Sequence, residues 1–341
     1  MNSGFELLDY IIFATYAFVI LTIGLWVSRD KKGKEKSAED YFLAGKSLPW
    51  WAIGASLIAA NISAEQVIGM TGSGFVVGLA IASYEWMAAI TLIIVGKYFL
   101  PIFIEKKIYT IPEFVEKRFS TELKTILAVF WIGLYIFVNL ASVLYLGGLA
   151  LETILDVDMK YAVLGLGLFA AAYSLYGGLS AVAWTDIIQV FFLILGGIVT
   201  TYLALDTVSG GQGTIEGFKT IYNAVPEKFD MILEKSNPEY NNLPGLGVLI
   251  GGMWVANIYY WGFNQYIIQR TLAAKSLKES QKGILFAAGL KMIMPLIIVI
   301  PGIAAYVIVN DPQILSSLGD SALANIPGEG ANDKSYPWLM Q

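Results

Sequence analysis

The stretch Ala59-Ala60-Asn61-Ile62-Ser63-Ala64-Glu65-Gln66 lies inside an apolar run, from about Trp50 to Met70, that is long enough to cross a bilayer. An ionised carboxylate at the centre of such a helix costs about 2.5–3.5 kcal/mol, and the amides and hydroxyl beside it need hydrogen-bond partners. Gly54, Ala55, Ala59, Ala60 and Gly69 let other helices come close. A polar, small-residue interruption at membrane depth is tolerated only against protein or a water-filled cavity. The pattern predicts a broken helix that builds a binding site, with the rest of the chain positioning it.

The chain is 56% hydrophobic and only 14% charged, with mean hydropathy +0.63. This predicts an all-α, polytopic membrane protein. There is no cysteine and no histidine. Disulfides, thiol nucleophiles, Cys/His zinc sites and imidazole acid–base chemistry are therefore excluded, and the chain is not expected to be an enzyme. The N-terminus lacks the basic region of a cleavable signal. Eight spans are expected, at about 8–27, 50–70, 79–104, 124–152, 161–179, 184–206, 244–265 and 284–308. With the N-terminus outside, fifteen of the 22 Lys and Arg fall in the inner connections, five lie outside, and Lys97 and Lys291 lie within helices. That asymmetry supports both the count and the orientation, and the expected location is the cytoplasmic membrane of a bacterium.

Along the chain, the first helix is uninterrupted and predicts a peripheral, lipid-facing element, followed by a basic inner loop from Arg29 to Lys36. Trp50 and Trp51 suit the interface. The third span opens with Ser83-Tyr84-Glu85-Trp86; Tyr84 and Glu85 can face one cavity. Lys97 reads as snorkelling to the surface. Lys106–Arg118 reads as a short amphipathic surface helix. Tyr135, Asn139 and Ser142 share a face and read as interhelical glue. Gly177-Gly178 end the fifth span, with a turn at 180–183 before the sixth. Asp186 then falls in a first helical turn, either as a charge favoured by the macrodipole or as a carboxylate on an ion's exit path. In the seventh span Asn257, Tyr260, Trp261 and Asn264 stand at i, i+3, i+4 and i+7, a polar and aromatic stripe that points to a site; Gly262 interrupts it. Lys291 lies too deep in the eighth span for easy snorkelling, which favours a site role.

The interrupted second and seventh helices are five apart. Five is odd, so a second five-helix unit would run inverted, as the charge asymmetry requires. Paired broken helices in inverted repeats point to a transporter's binding site. The expected organisation is a peripheral helix and basic loop at 1–49, a first five-helix repeat at 50–206, an outer loop at 207–243, two helices of a second repeat at 244–308, and a polar outer tail at 309–341. About three core helices are expected beyond Gln341.

Tyr41-Phe42-Leu43-Ala44-Gly45-Lys46, Ile111-Pro112-Glu113-Phe114, and Tyr176-Gly177-Gly178-Leu179 followed by Trp184-Thr185-Asp186 resemble the solute:sodium symporter family. Asn61 to Gln66, Ser83 to Trp86 and Tyr259 to Gln265 are similar to its bacterial sodium/galactose-cotransporting members. The resemblance implies the leucine-transporter-type five-plus-five inverted repeat. It also implies sodium-coupled symport of a monosaccharide, galactose or glucose, by alternating access. By position, Gln66, Glu85, Asn257 and Lys291 match sugar-hydroxyl contacts, with Asn61 close by. Tyr260 matches a ring stacked under the pyranose as inner gate, Trp261 a second sugar-contacting ring, and Met70 and Tyr84 outer-gate residues. The carbonyls of Ala59 and Ile62 match sodium ligands, the remaining ligands falling beyond Gln341, and Asp186 matches a carboxylate on the sodium exit route. Ala88 departs from the pattern: those members carry a sugar-contacting serine there. The implied partners are sugar, sodium and the lipid bilayer, with no nucleic acid and an oligomer left open. Three rivals remain: a symporter of another solute such as an amino acid or polyol, proton coupling through Glu65 or Glu85, and a membrane sugar sensor that does not transport.

Overall fold

The computed structural model describes residues 7–27, 29, 37–63, 65–155, 157–243, 245–319, 323, 326–328 and 330–340, with backbone alone at 38, 65, 153, 154, 173 and 176. The basic run Lys31–Lys36, Ala64, and the side chains of Glu65 and Tyr176 lie outside the described residues. Among those described there is no β-strand, only a parallel bridge between Leu48 and Ala274.

Six helices among the described residues are long and apolar enough to cross a membrane: α1 (Leu7–Val27), α4 (Leu79–Glu105), α6 (Thr121–Glu152), α8 (Gly177–Val208), α10 (Pro238–Phe263) and α12 (Leu277–Asn310). A seventh candidate is the pair α2 (Trp50–Asn61) and α3 (Met70–Val76), bent by 64° at their junction. A shorter apolar helix, α7 (Met159–Ala172), stands at the expected fifth span. Six of the eight expected spans thus coincide with a helix long enough to cross, the second with the bent pair and the fifth with the shorter α7. The surface helix α5 (Ile111–Arg118) begins at a Thr110 cap with proline in its first turn.

Helix α12 is the centre of the bundle. It is the most buried span, and both halves of the bent pair pack on it through glycine. Toward the start of α12 a Cβ at Gly54 would stand 2.8 Å from the Gly283 carbonyl oxygen, and one at Gly283 would stand 2.8 Å from the Trp50 carbonyl oxygen. Toward its end a Cβ at Gly74 would meet the Val299 carbonyl oxygen at 2.7 Å, and one at Gly302 would meet that of Thr71 at 2.1 Å. Prolines 295 and 301 lie inside α12, where each removes a backbone donor. One turn before each, a side chain donates to a backbone carbonyl: Trp86 Nε1 to Met292 O (3.2 Å) and Thr71 Oγ1 to Ile298 O (2.8 Å). Neighbouring helices thereby supply hydrogen bonds beside the places where the ladder is weakened.

Several expectations need correction. The turn placed at 180–183 is helical; the chain breaks at Gly178, with φ 61 and ψ −155. Glycine is required there twice over, because a Cβ would also stand 2.5 Å from the Tyr41 carbonyl oxygen. Asp186 is therefore not in a first helical turn, and the macrodipole reading of it fails. The seventh span breaks at Asn264 (φ −78, ψ 121), after a π-helical turn at Tyr259–Phe263, rather than at Gly262. It then continues as α11 (Gln265–Leu272). The outer loop holds an amphipathic helix, α9 (Thr214–Ala224). The tail is not simply a polar loop: it contains the short helices Pro312–Ser317 and Ser335–Leu339, buries Trp338, and packs the Asn332 carbonyl oxygen 2.8 Å from a Cβ position on Gly72.

Gly302 and Gly289 lie on the same helix, yet nothing lies within 4 Å of a Cβ at Gly289. Gly302→Ala is therefore expected to lower the thermal unfolding midpoint, by the equivalent of about 1–3 kcal/mol, while Gly289→Ala leaves it unchanged or raised. Equal midpoints in a detergent-solubilised melt would contradict the glycine-packed contact between α3 and α12.

Candidate functional site

The break between α2 and α3 sets the site. Ile62 leaves the helical region (φ −88, ψ 85). The Ser63 N–H, which a continuous helix would direct at the Ala59 carbonyl, donates to Asn61 O instead, at 3.1 Å. A π-helical turn at Glu65–Gly69 then restarts the helix. The side chains on either side of the break, Asn61 and Gln66, face a cavity of about 410 Å³.

Its walls bring together Asn61, Gln66, Met70, Tyr84, Glu85, Asn257, Tyr260 and Trp261, all picked out from the sequence, and also Ala88. The volume lies within the roughly 300–1,000 Å³ of small-molecule sites. Ala256 and Tyr259 line it too and were missed. They stand at i and i+3, the edge of the same helical face next to Asn257 and Tyr260, and a stripe counted from the polar Asn257 passes over both. Asn264, included in that stripe, is elsewhere: its Oδ1 accepts a 2.9 Å hydrogen bond from Tyr135 Oη at the break.

One hydrogen-bonded chain joins α2, α3, α4, α10, α11 and α12. Met70 Sδ accepts from Gln66 Nε2 (3.5 Å), and the same amide donates to Glu85 Oε1 (2.7 Å). Glu85 Oε2 accepts from Lys291 Nζ at 2.5 Å. Lys291 also donates to Asn61 Oδ1, and Asn61 Nδ2 donates to Tyr260 Oη at 3.1 Å. Tyr260 Oη in turn shares a 2.8 Å hydrogen bond with Tyr266 Oη on α11. Lys291 does not line the cavity. It is 0% exposed and lies behind the wall, with its ammonium 5.3 Å from the Trp261 ring centroid. It holds two residues that do line the cavity, Asn61 and Glu85. The amide of Asn257 donates to Met253 O of its own helix at 3.0 Å. Tyr260 and Trp261 meet edge to face, with centroids 5.1 Å apart.

A second polar cluster lies toward the inner end of α2. Ser56 Oγ donates to Asp186 Oδ2 at 2.5 Å and accepts from Arg270 Nε at 2.9 Å, while Arg270 Nη2 lies 3.5 Å from Asp186. All three are buried. Arg270 also donates to the Tyr266 carbonyl. Counted from the sequence as one of the inner-loop cations, Arg270 gave no sign of this pairing.

The profile of the sodium:solute symporter family matches residues 41–341. The chain belongs to that family. It is 70% identical over 341 residues to the sodium/glucose cotransporter of Vibrio parahaemolyticus, covering 100% of this chain and 63% of the relative. It is 32% identical over 354 residues to human sodium/myo-inositol cotransporter 2, covering 99% of this chain and 51% of the relative. The solved structure of a sodium-coupled sialic acid symporter, in a substrate-bound outward-open state, superposes with TM-score 0.78 at 22% identity, over 99% of this chain and 69% of that one. The fold is thus the all-α, leucine-transporter-type fold of a multi-pass membrane protein. The chain spans roughly half to two thirds of the length of these relatives.

Breaking a buried ion pair by removing one partner costs about 3–5 kcal/mol, because the other charge is left uncompensated. Lys291→Met and Glu85→Gln are each expected to destabilise strongly, and the double variant less than the sum of the two. Additive losses in a thermal-melt cycle of the four proteins would mean that the two side chains are not coupled.

Proposed function

We propose that this chain forms the substrate half of a sodium-coupled symporter that imports a monosaccharide, galactose or glucose, by alternating access. The observation that carries the reading is a cavity lined by both polar side chains and aromatic rings. Gln66, Glu85 and Asn61 line it with groups that can hydrogen-bond hydroxyls, and Tyr260 and Trp261 with rings suited to the apolar side of a pyranose. The relatives carry names of sodium cotransporters of glucose and myo-inositol, both polyhydroxylated neutral solutes. Such a site rejects analogues that lack a hydroxyl, because its own buried groups are then left unpaired.

An amino-acid substrate is disfavoured by Lys291. The one ammonium near the cavity among the described residues is fully buried and bound by Glu85 and Asn61, so it offers no partner for a carboxylate. Met70 and Tyr84 stand on the cavity wall as the outer gate and Tyr260 as the inner one. Ala88, which lines the wall, leaves one hydroxyl contact fewer than a serine would give.

Sodium is the co-substrate in this reading. It takes oxygen ligands, and the carbonyls of Ala59 and Ile62 are its ligands here. The Ser63 N–H is diverted from the Ala59 carbonyl, and Ile62 lies outside helical geometry. Asp186 lies on the ion's inward route, close to Ser56 on α2, where a departing cation competes with Arg270 for its carboxylate. A tenfold sodium gradient supplies about 1.4 kcal/mol, and 100 mV adds about 2.3 kcal/mol per charge. For one sodium per sugar this supports accumulation of a few hundredfold. The inner-loop excess of Lys and Arg supports an N-terminus outside, in the cytoplasmic membrane of a bacterium.

Proteoliposomes holding the protein expressed from its complete gene are expected to take up radiolabelled galactose under an inward sodium gradient and not when potassium replaces sodium. Gln66→Ala is expected to reduce that uptake at least tenfold, through loss of a hydrogen bond to a buried charged partner. Uptake indifferent to sodium would remove the ion assignment at Ala59 and Ile62. Sodium-driven uptake of another solute, without galactose, would overturn the substrate.

A further inference from the structure

Lys228 lies in the 3-10 turn Pro226–Phe229 of the connection between α8 and α10, where a lysine is ordinarily solvated. Here it is 8% exposed. Its Nζ donates to the carbonyls of Phe75 (2.9 Å) and Val76 (2.8 Å), in the last turn of α3. The same ammonium sits 3.9 Å from the ring centroid of Tyr306 on α12, and that ring meets Phe75 edge to face at 5.3 Å. One cation therefore holds two helices, neutralising free carbonyls at the end of one and the π face presented by the other.

The backbone around it is equally fixed. Gly78, just past α3, has φ +90, and a Cβ there would stand 2.3 Å from the Lys228 carbonyl oxygen. Phe229 stacks edge-on against Phe218 and Tyr222 of α9, at 5.6 and 5.2 Å. Helix α9 in turn rests on α8, where a Cβ at Gly217 would stand 2.0 Å from the Leu205 carbonyl oxygen. Burial pushes the Lys228 pKa down, while Glu227 and Glu239 pull it up. An ammonium at this position carries a desolvation penalty that an ordinary exposed helix cap avoids.

Helix α3 is only seven residues long. Its outer end is held by Lys228; its inner end carries Met70 and runs straight into the π turn that places Gln66 against Glu85. At 1.5 Å rise per residue, about 9 Å separate the two ends, and the backbone from Gln66 to Val76 is continuously helical. We propose that Lys228 is a positioning residue for the binding cavity: clamped between α3 and Tyr306, it fixes the outer half-helix and thereby the placement of Gln66 and Met70. The proposal rests on the sugar reading for its ligand and on the structure alone for its mechanics.

The test uses the protein expressed from its complete gene, in nanodiscs with saturating sodium, and compares wild type with Lys228→Met and Lys228→Arg. Galactose affinity and amide hydrogen exchange across residues 65–78 are both measured. Lys228→Met is expected to weaken galactose about tenfold, the loss of a charged hydrogen-bond pair, with a full complement of sites. Exchange should quicken at 66–70 as well as at 75–78, and Lys228→Arg should restore part of both. An unchanged affinity, with faster exchange confined to 75–78, would overturn the proposal and leave Lys228 as a local cap. If wild type binds no galactose, the sugar reading fails and the reach of the exchange effect alone decides this one. Should Lys228→Met not fold, Tyr306→Leu, which keeps the ammonium and removes its ring face, gives the same two readouts.

Discussion

An ammonium with no contact to solvent must be matched where it stands. Lys291 is matched by Glu85 from α4 and by Asn61 from the last residue of α2. These are charge-assisted hydrogen bonds in a low-dielectric interior, where an unmet charge is costly. The lysine thus ties both sides of the break to α12, Asn61 directly and Gln66 through Glu85.

The rest of the bundle makes that break stiff. Helix α12 carries Lys291 at its middle and glycine contacts on both sides, Gly283 toward α2 and Gly302 toward α3. Both halves of the broken helix lie within backbone distance of one buried rail, so the 64° bend is held at three points. The inner cluster of Ser56, Asp186 and Arg270 joins α2 to α8 and α11. Because α11 follows the second break, the inner ends of both broken helices are tied through a single arginine. Side chains facing the cavity are thereby carried on packed helical elements rather than on a loose loop.

Much of this was legible in the sequence. Polar residues inside an apolar run announce a break because the bilayer tolerates no other use for them, so Asn61, Gln66 and Glu85 could be placed at one cavity without coordinates. The i, i+3, i+4 spacing gave Asn257, Tyr260 and Trp261. What failed did so for local reasons. A π turn is invisible to a count at 3.6 residues per turn, which misplaced Asn264 beyond it. Two adjacent glycines mark a helix end only to within a few residues; the close approach of the Tyr41 carbonyl decides for Gly178, and that is a tertiary fact. Lys291, Arg270 and Lys228 show a common limit. Sequence reveals a cation at depth or in a loop, but whether it faces the ligand, a carboxylate or a helix end depends on which neighbours fold against it.

The central claim is that one break serves two ligands, presenting side chains to a sugar and backbone carbonyls to sodium. If so, the two must bind with reciprocal coupling, because each orders the same residues. The most direct measurement is a pair of equilibrium titrations on the purified protein expressed from its complete gene: galactose with and without sodium, and sodium with and without galactose. The account predicts that each ligand tightens the other by the same factor. A galactose affinity that is the same in sodium as in its absence would contradict it.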